Sequence, residues 1–168
     1  SEALPAYQAF LAAHPEDAGM WTNLGVLLRT LRLYPAAIAC YQRALALRPP
    51  ESGILSNLGN ALKDCDRLDE AVDCHRRAVA LDPASTTARF NYAIALREAC
   101  DFEGSRTVLD ALLAEEPTRA VWQWERALVN LQAGHFARQA VARTLGGAGQ
   151  MRVHGDDGHP HRCVATRG

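Results

Sequence analysis

Between residues 18 and 119 apolar and polar positions alternate with a helical period. At about 100° per residue, Trp21, Leu24, Gly25 and Leu28 fall on one side of a first helix, and Gly19, Asn23, Val26 and Thr30 on the other. The first side is expected to be buried and the second to face a groove. After a short break a second helix carries Ala37, Tyr41, Ala44 and Leu45 on its inner face. Pro49 ends it, because proline cannot continue the backbone hydrogen-bond ladder. Gly25 and Ala37 are the expected contact points of the two helices, since larger side chains would push the axes apart.

This helical hairpin is copied along the chain. Asn23, Asn57 and Asn91 stand at intervals of 34 residues, and Leu28, Leu62 and Leu96 keep the same spacing, as do Pro49, Pro83 and Pro117. The second copy reads Leu55, Leu58, Gly59, Leu62, then Ala71, His75, Ala78 and Pro83. The third reads Tyr92, Ala93, Leu96, then Ser105, Leu109, Leu112 and Pro117, so its small column survives as Ala93 and Ser105. Several columns in register place the copies at 18–51, 52–85 and 86–119. Self-similarity at this period marks a stack of supersecondary units, each of which buries its apolar face only against its neighbours, and such arrays act by binding other proteins.

Trp21-x-x-Leu24-Gly25, Ala37, Tyr41, Ala44 and Pro49 resemble the tetratricopeptide repeat signature. The resemblance implies an all-α fold: a right-handed superhelical solenoid of antiparallel helix pairs whose first helices line a concave groove. It is similar in style to the repeat region of O-linked N-acetylglucosamine transferases and related bacterial repeat proteins. Ser56-Asn57-Leu58-Gly59-Asn60-Ala61-Leu62 looks like a typical unit of those transferases. In that family such asparagines hold a substrate polypeptide, which implies contacts through Asn23, Asn57 and Asn91.

The flanks are less regular. Residues 1–17, with Ala3, Tyr7, Phe10 and Pro15, read as the second helix of a preceding unit whose first helix is missing, which leaves an apolar face exposed. Residues 120–145 read as a divergent unit or capping helix pair: Leu131 and Ala140 fit the columns only if one residue is inserted, whereas Phe136 fits without it. From residue 146 the pattern stops in a Gly-, His- and Arg-rich tail, expected to be flexible because glycine loses most entropy on ordering. Ser1 is not an initiator methionine, and the chain reads as a fragment or processed form.

Composition narrows the function classes. The chain has 168 residues, 48% apolar and 22% charged, with a net charge of −1, so no overall basic field draws it to nucleic acid or an anionic membrane. No apolar run approaches the roughly 18–20 residues that span a bilayer. Five cysteines argue against a fully paired disulfide framework and favour a reducing compartment, the cytoplasm.

The best constellation for chemistry is the groove. An amide is both donor and acceptor, so a ladder of Asn23, Asn57 and Asn91, with Asn60 beside it, can pair with the backbone of an extended peptide. Arg29, Lys63 and Arg97 repeat at the same interval on the groove's flank and would favour an acidic peptide, although Asp64 and Glu98 follow two of them directly. Val26, Ile94, Phe90 and Leu128 would add apolar pockets, unless Phe90 is tucked against the next helix. The lysine and asparagine that a chaperone-type carboxylate clamp would need are Thr22 and Val26, which disfavours chaperone C-termini as ligands.

Other candidates are weaker. His154, Asp156, Asp157, His159, His161 and Cys163 are metal ligands by type, but their spacing matches no common zinc framework, and no metal or other cofactor is expected. His75 sits where the other copies have Tyr41 and Leu109 and reads as a packing residue. No nucleophile motif, phosphate loop or paired acid–base group stands out. The expected function is a non-catalytic scaffold for a protein or peptide partner. Two further readings remain: the substrate-selecting part of a larger enzyme such as a bacterial O-linked glycosyltransferase, and a self-assembling array whose unsealed ends join copies into a homo-oligomer.

Overall fold

The computed structural model describes residues 3–146, so the Gly- and His-rich tail and its candidate metal ligands lie outside the described residues. The described chain is helical, with no strand: α1 (Ala3–Ala13), α2 (Ala18–Thr30), α3 (Tyr34–Leu47), α4 (Ser52–Lys63), α5 (Leu68–Leu81), α6 (Thr86–Glu98), α7 (Phe102–Glu115) and α8 (Ala120–Gly146). Helices α2–α3, α4–α5 and α6–α7 are the three hairpins, and each packs on the next.

The small column sets how closely the paired helices lie. A Cβ at Gly25 would stand 2.6 Å from Cε1 of the Tyr41 ring, and one at Gly59 would stand 2.7 Å from Nε2 of His75. Each glycine is therefore the seat of a ring from the partner helix. In the third hairpin Ala93 replaces the glycine and Leu109 the ring, and the buried Ser105 hydroxyl donates to the Ala93 carbonyl at 2.8 Å. Ala37, Ala71 and Ala78 are fully buried along the same seams.

The turn inside each hairpin is a Schellman cap, in which the amides just beyond the helix fold back on its last carbonyls. Leu33 N–H donates to Leu28 O at 2.9 Å, Arg67 N–H to Leu62 O at 3.0 Å and Asp101 N–H to Leu96 O at 2.8 Å. The residue before each donor is left-handed: Arg32 at φ 60°, Asp66 at 61° and Cys100 at 64°. None is a glycine, and an L-residue there is disfavoured by about 1–2 kcal/mol, so hairpin packing must outweigh that cost three times.

Curvature follows from which helices meet. The first helices approach one another, α2 to α4, α4 to α6 and α6 to α8, whereas α3 and α5, and α5 and α7, make no close backbone approach. The first helices thus form the inner wall, and the second helices splay on the outside. One core cluster runs from Leu11 of α1 through Leu24, Tyr41 and Leu58 to Cys74 of α5. A second gathers Ala93, Leu109, Leu112, Trp122 and Val129 under α6, α7 and α8.

The C-terminal unit departs from expectation. In place of a divergent or capping helix pair over 120–145, α8 is one helix of 27 residues, about 40 Å long at 1.5 Å per residue. It packs on α6 and α7 through Trp122 and Val129, and no other described helix covers its outer side. At the N-terminus α1 buries Leu11 and leaves Phe10 exposed, stacked near His14.

Candidate functional site

The inner wall is built by the 34-residue register. Helices α2, α4 and α6 place Asn23, Asn57 and Asn91 at equivalent positions, Asn23 exposed and the other two half-buried. None of the three amides makes a side-chain hydrogen bond to another described residue, so their donors and acceptors face solvent or a ligand. Asn60 is half-buried one turn on from Asn57, and Val26 and Ile94 hold the corresponding positions on α2 and α6, Val26 being exposed and Ile94 half-buried. The column has a fourth member that sequence reading missed: Glu125, 34 residues beyond Asn91, is only 8% exposed. Counting one more period would have found it, had the apparent one-residue slip of α8 not broken the alignment.

The basic stripe is a different object from the one expected. Arg29 of α2 forms an ion pair with Asp64 of the next hairpin at 2.7 Å, and Lys63 of α4 pairs with Glu98 at 3.5 Å. Arg97 of α6 pairs with Glu125 of α8, bonds Gln132 at 3.3 Å and lies 3.4 Å from Glu98. Each cation thus reaches forward to a side chain 35 residues on, and at the last step, where that side chain is the neutral Gln132, Glu125 supplies the negative charge. The expectation that the stripe favours an acidic peptide changes accordingly, and Asp64 and Glu98 do neutralise it: these charges clasp successive units, which leaves the stripe little net field. Arg97 and Glu125 are also the most buried pair of the series, at 14% and 10% side-chain exposure.

Phe90 is likewise committed to the protein. It is half-buried in the second core cluster, with its ring centroid 6.5 Å from that of Trp122, so the alternative of packing against the next helix is the observed one. Exposed apolar residues are found instead on α8: Val121, Trp124 and Leu131. Trp124 is 70% exposed and lies two residues from the buried Trp122, on the opposite side of the helix.

Buried titratable groups serve packing. His75 is completely buried on Gly59, and neither ring nitrogen has a hydrogen-bond partner among the described residues. Burial, aided by the nearby Lys63 charge, pulls its pKa down to about 4, so the ring is neutral near pH 7. Burial pushes Tyr41 up to about 12 and raises the free thiols Cys40 and Cys74, which makes those thiols poor nucleophiles. On the outer side, where α3 and α5 stand apart, a cleft of about 520 Å³ has Leu45, Leu58, Leu62 and Cys74 in its lining. Two acids at this cleft are already held, Glu70 by Arg67 and Asp73 by Arg76. No cluster of metal-ligating side chains occurs among the described residues, and no described helix is long and apolar enough to cross a membrane.

Family comparison agrees with this architecture. Tetratricopeptide repeat models match residues 1–52 and 66–129, which together cover most of the described helices. The chain belongs to the tetratricopeptide repeat family. Among solved tetratricopeptide repeat structures, MamA superposes with a TM-score of 0.72 at 18% identity, over 87% of this chain and 89% of that one. YrrB, described as having an unusual peptide-binding site, superposes with a TM-score of 0.70 at 20% identity, over 79% of this chain and 69% of that one. The first such domain of Spaghetti, bound to the HSP90 peptide SRMEEVD, gives 0.64 at 20% identity, over 70% and 93%. At these identities the likeness is one of fold. No curated protein matches the chain in sequence.

Proposed function

We propose that this tetratricopeptide repeat protein is a non-catalytic scaffold that holds an extended stretch of another protein along its inner wall. The observation that carries the reading is the set of uncommitted amides at Asn23, Asn57 and Asn91, presented at one register position by three first helices that pack on one another. Amides so placed can accept from and donate to a peptide backbone with little dependence on its sequence. Because the hairpins are locked by buried seams and clasped by ion pairs, the receptor need not be ordered on binding, which lowers the entropic cost of association.

The pairing of Arg29, Lys63 and Arg97 changes the ligand this reading favours. With the cations engaged, an uncharged or mixed-charge segment suits the wall better than a strongly acidic one. Val26, Ile94 and Asn60 would contact its side chains, whereas Phe90 would act indirectly, by packing α6 on α8.

The test begins with a displayed library of random extended peptides selected on the full chain. A selected peptide is then titrated calorimetrically against the wild type and against the triple variant N23A/N57A/N91A. Loss of about tenfold or more in affinity, with unchanged melting temperature, supports the amide ladder. Equal affinity for the two proteins would remove it.

A further inference from the structure

The inner wall changes character along its length. One turn before each asparagine of the ladder stand Gly19, Gly53 and Thr87, and the next period puts Val121 there on α8. The residue just before each asparagine runs Thr22, Ser56, Phe90 and then Trp124, and the residue three after it runs Val26, Asn60, Ile94 and then Leu128. At 100° per residue these three columns lie on one side of the asparagine column. From α2 to α8 they pass from small and polar to apolar. Val121 is 55% and Trp124 70% exposed, with Leu128 half-buried one turn on, so the three form a continuous patch on α8. These are not residues that a second helix of the unit would cover. At that register α8 has Gln123, Arg126 and Asn130, where α2 has Trp21, Leu24 and Leu28.

The two ends of the wall offer different chemistry. At the α2 and α4 end, Gly19 and Gly53 are exposed. A Cβ at Gly53 would meet nothing within 4 Å, and one at Gly19 would meet only the capping Asp17 carboxylate at 3.2 Å. Unlike Gly25 and Gly59, these two seat no side chain of a partner helix, although glycine is a poor helix former. Bare backbone one turn from Asn23 and Asn57 lets another main chain approach closely enough to bond their amides. At the α8 end the asparagine column closes in Glu125, which is buried and paired with Arg97, so the ladder offers no free amide there. Apolar surface takes its place. Because Arg97 and Glu125 neutralise each other beside the patch, its complement is an uncharged apolar side chain.

We propose that the wall selects a graded ligand: an extended segment of a partner protein with small residues over Gly19 and Gly53 and a large apolar side chain, aromatic or leucine, lodged on Val121, Trp124 and Leu128. This rests on the peptide-binding reading above and adds to it the chemistry at each end. The patch continues the wall of uncommitted amides, so the segment held by those amides is what reaches it. Packed helices lie about 8–10 Å apart and an extended chain advances about 3.3 Å per residue, so the ligand crosses each first helix in about three residues. From α4 to α8 is two such steps, which puts the apolar anchor about six positions from the small residue over Gly53.

Peptides selected on the full chain from the random library are aligned first. They should share one large apolar position, with Gly, Ala or Ser about six positions from it. One such peptide, and its variant with the anchor replaced by alanine, are then titrated against the wild type, Trp124→Ala, Gly53→Leu and the control Asn130→Ala. All three positions are exposed, so the folds should survive, and thermal melts check this. The wild type should prefer the anchored peptide by about tenfold or more, W124A should lose most of that preference, and N130A none of it. G53L, whose side chain enters the open space on a helix that accepts leucine, should bind both peptides about tenfold more weakly. Selected peptides without an apolar position, an anchor preference that survives in W124A, or full affinity in G53L would each overturn the graded ligand. If N23A/N57A/N91A alone loses binding, the amide wall stands and only the grading falls. If the library yields no binder, or the triple variant binds fully, the wall itself falls and this proposal with it. Concentration-dependent sedimentation of the wild type that W124A abolishes would give the patch to a second copy and also overturn it.

Discussion

His75 offers the sharpest test of how this array is held together. Its imidazole fills the seat on Gly59 that Tyr41 fills on Gly25, yet it carries two polar nitrogens into a site with no partner for either among the described residues. A buried polar group left unpaired costs about 1–3 kcal/mol. Leu109 occupies the same column in the third hairpin, and leucine is close to histidine in volume, so His75→Leu removes the polar atoms with little change in packing. The variant should be more stable at pH 7 by about 1–3 kcal/mol, a rise of several degrees in melting temperature for a chain of this size. The pH dependence is the stronger check. The folded pKa of about 4 lies below the ordinary value of 6.5, so the unfolded chain binds a proton that the folded chain refuses. Stability from this group is therefore intact above pH 6.5 and is lost progressively as pH falls towards 4. By linkage the loss amounts to about 2 kcal/mol at pH 5. Denaturant unfolding of wild type and H75L at pH 7 and pH 5 isolates this effect, because exposed His14 and His135 and the carboxylates are common to both proteins. The gap in stability between them should widen by about 2 kcal/mol on acidification. A gap that stays constant would show that the ring is solvated or hydrogen-bonded in solution, and the account of the seam would be wrong.

Other substitutions probe the seams and clasps separately. Gly25→Ala should destabilise by about 1–3 kcal/mol, because its methyl meets the Tyr41 ring, whereas Gly53→Ala, which meets nothing, should stabilise α4 by about 0.5–1 kcal/mol; thermal melts that rank the two alike would refute the close approach. Arg97→Ala strands the buried Glu125 carboxylate and should cost about 3 kcal/mol, while Arg29→Ala, in a more exposed pair, should cost no more than about 1 kcal/mol and less in high salt. Urea unfolding at two salt concentrations measures both, and equal losses would contradict the gradient in burial along the series. For the inner wall, the triple asparagine variant should lose binding and keep its stability, since the three wild-type side-chain amides bond no other described residue.

Sequence periodicity by itself determined the hairpins. Leu24, Leu28, Leu58, Leu62 and Leu96 recur at helical spacing and are all buried, because a short-range helical period and a 34-residue repeat together leave one way to bury every apolar face. Position along the period likewise puts Asn23, Asn57 and Asn91 at equivalent places on α2, α4 and α6, since residues one period apart recur at the same point of each copy. What only the tertiary structure decided were the contacts that cross from one unit to the next. Asp64 and Glu98 stand in the sequence beside Lys63 and Arg97, but that each pairs with the cation of the preceding unit could not be read there, because side chains 35 residues apart become neighbours only when first helices pack against each other. Phe90 needed Trp122, and the acidic end of the asparagine column needed Arg97, for the same reason. The single helix α8 shows the limit of periodicity most clearly. Its residues carry the turn column of a hairpin, but whether a chain turns or continues depends on how much apolar surface the returning helix would bury, a quantity set by three-dimensional packing rather than by spacing.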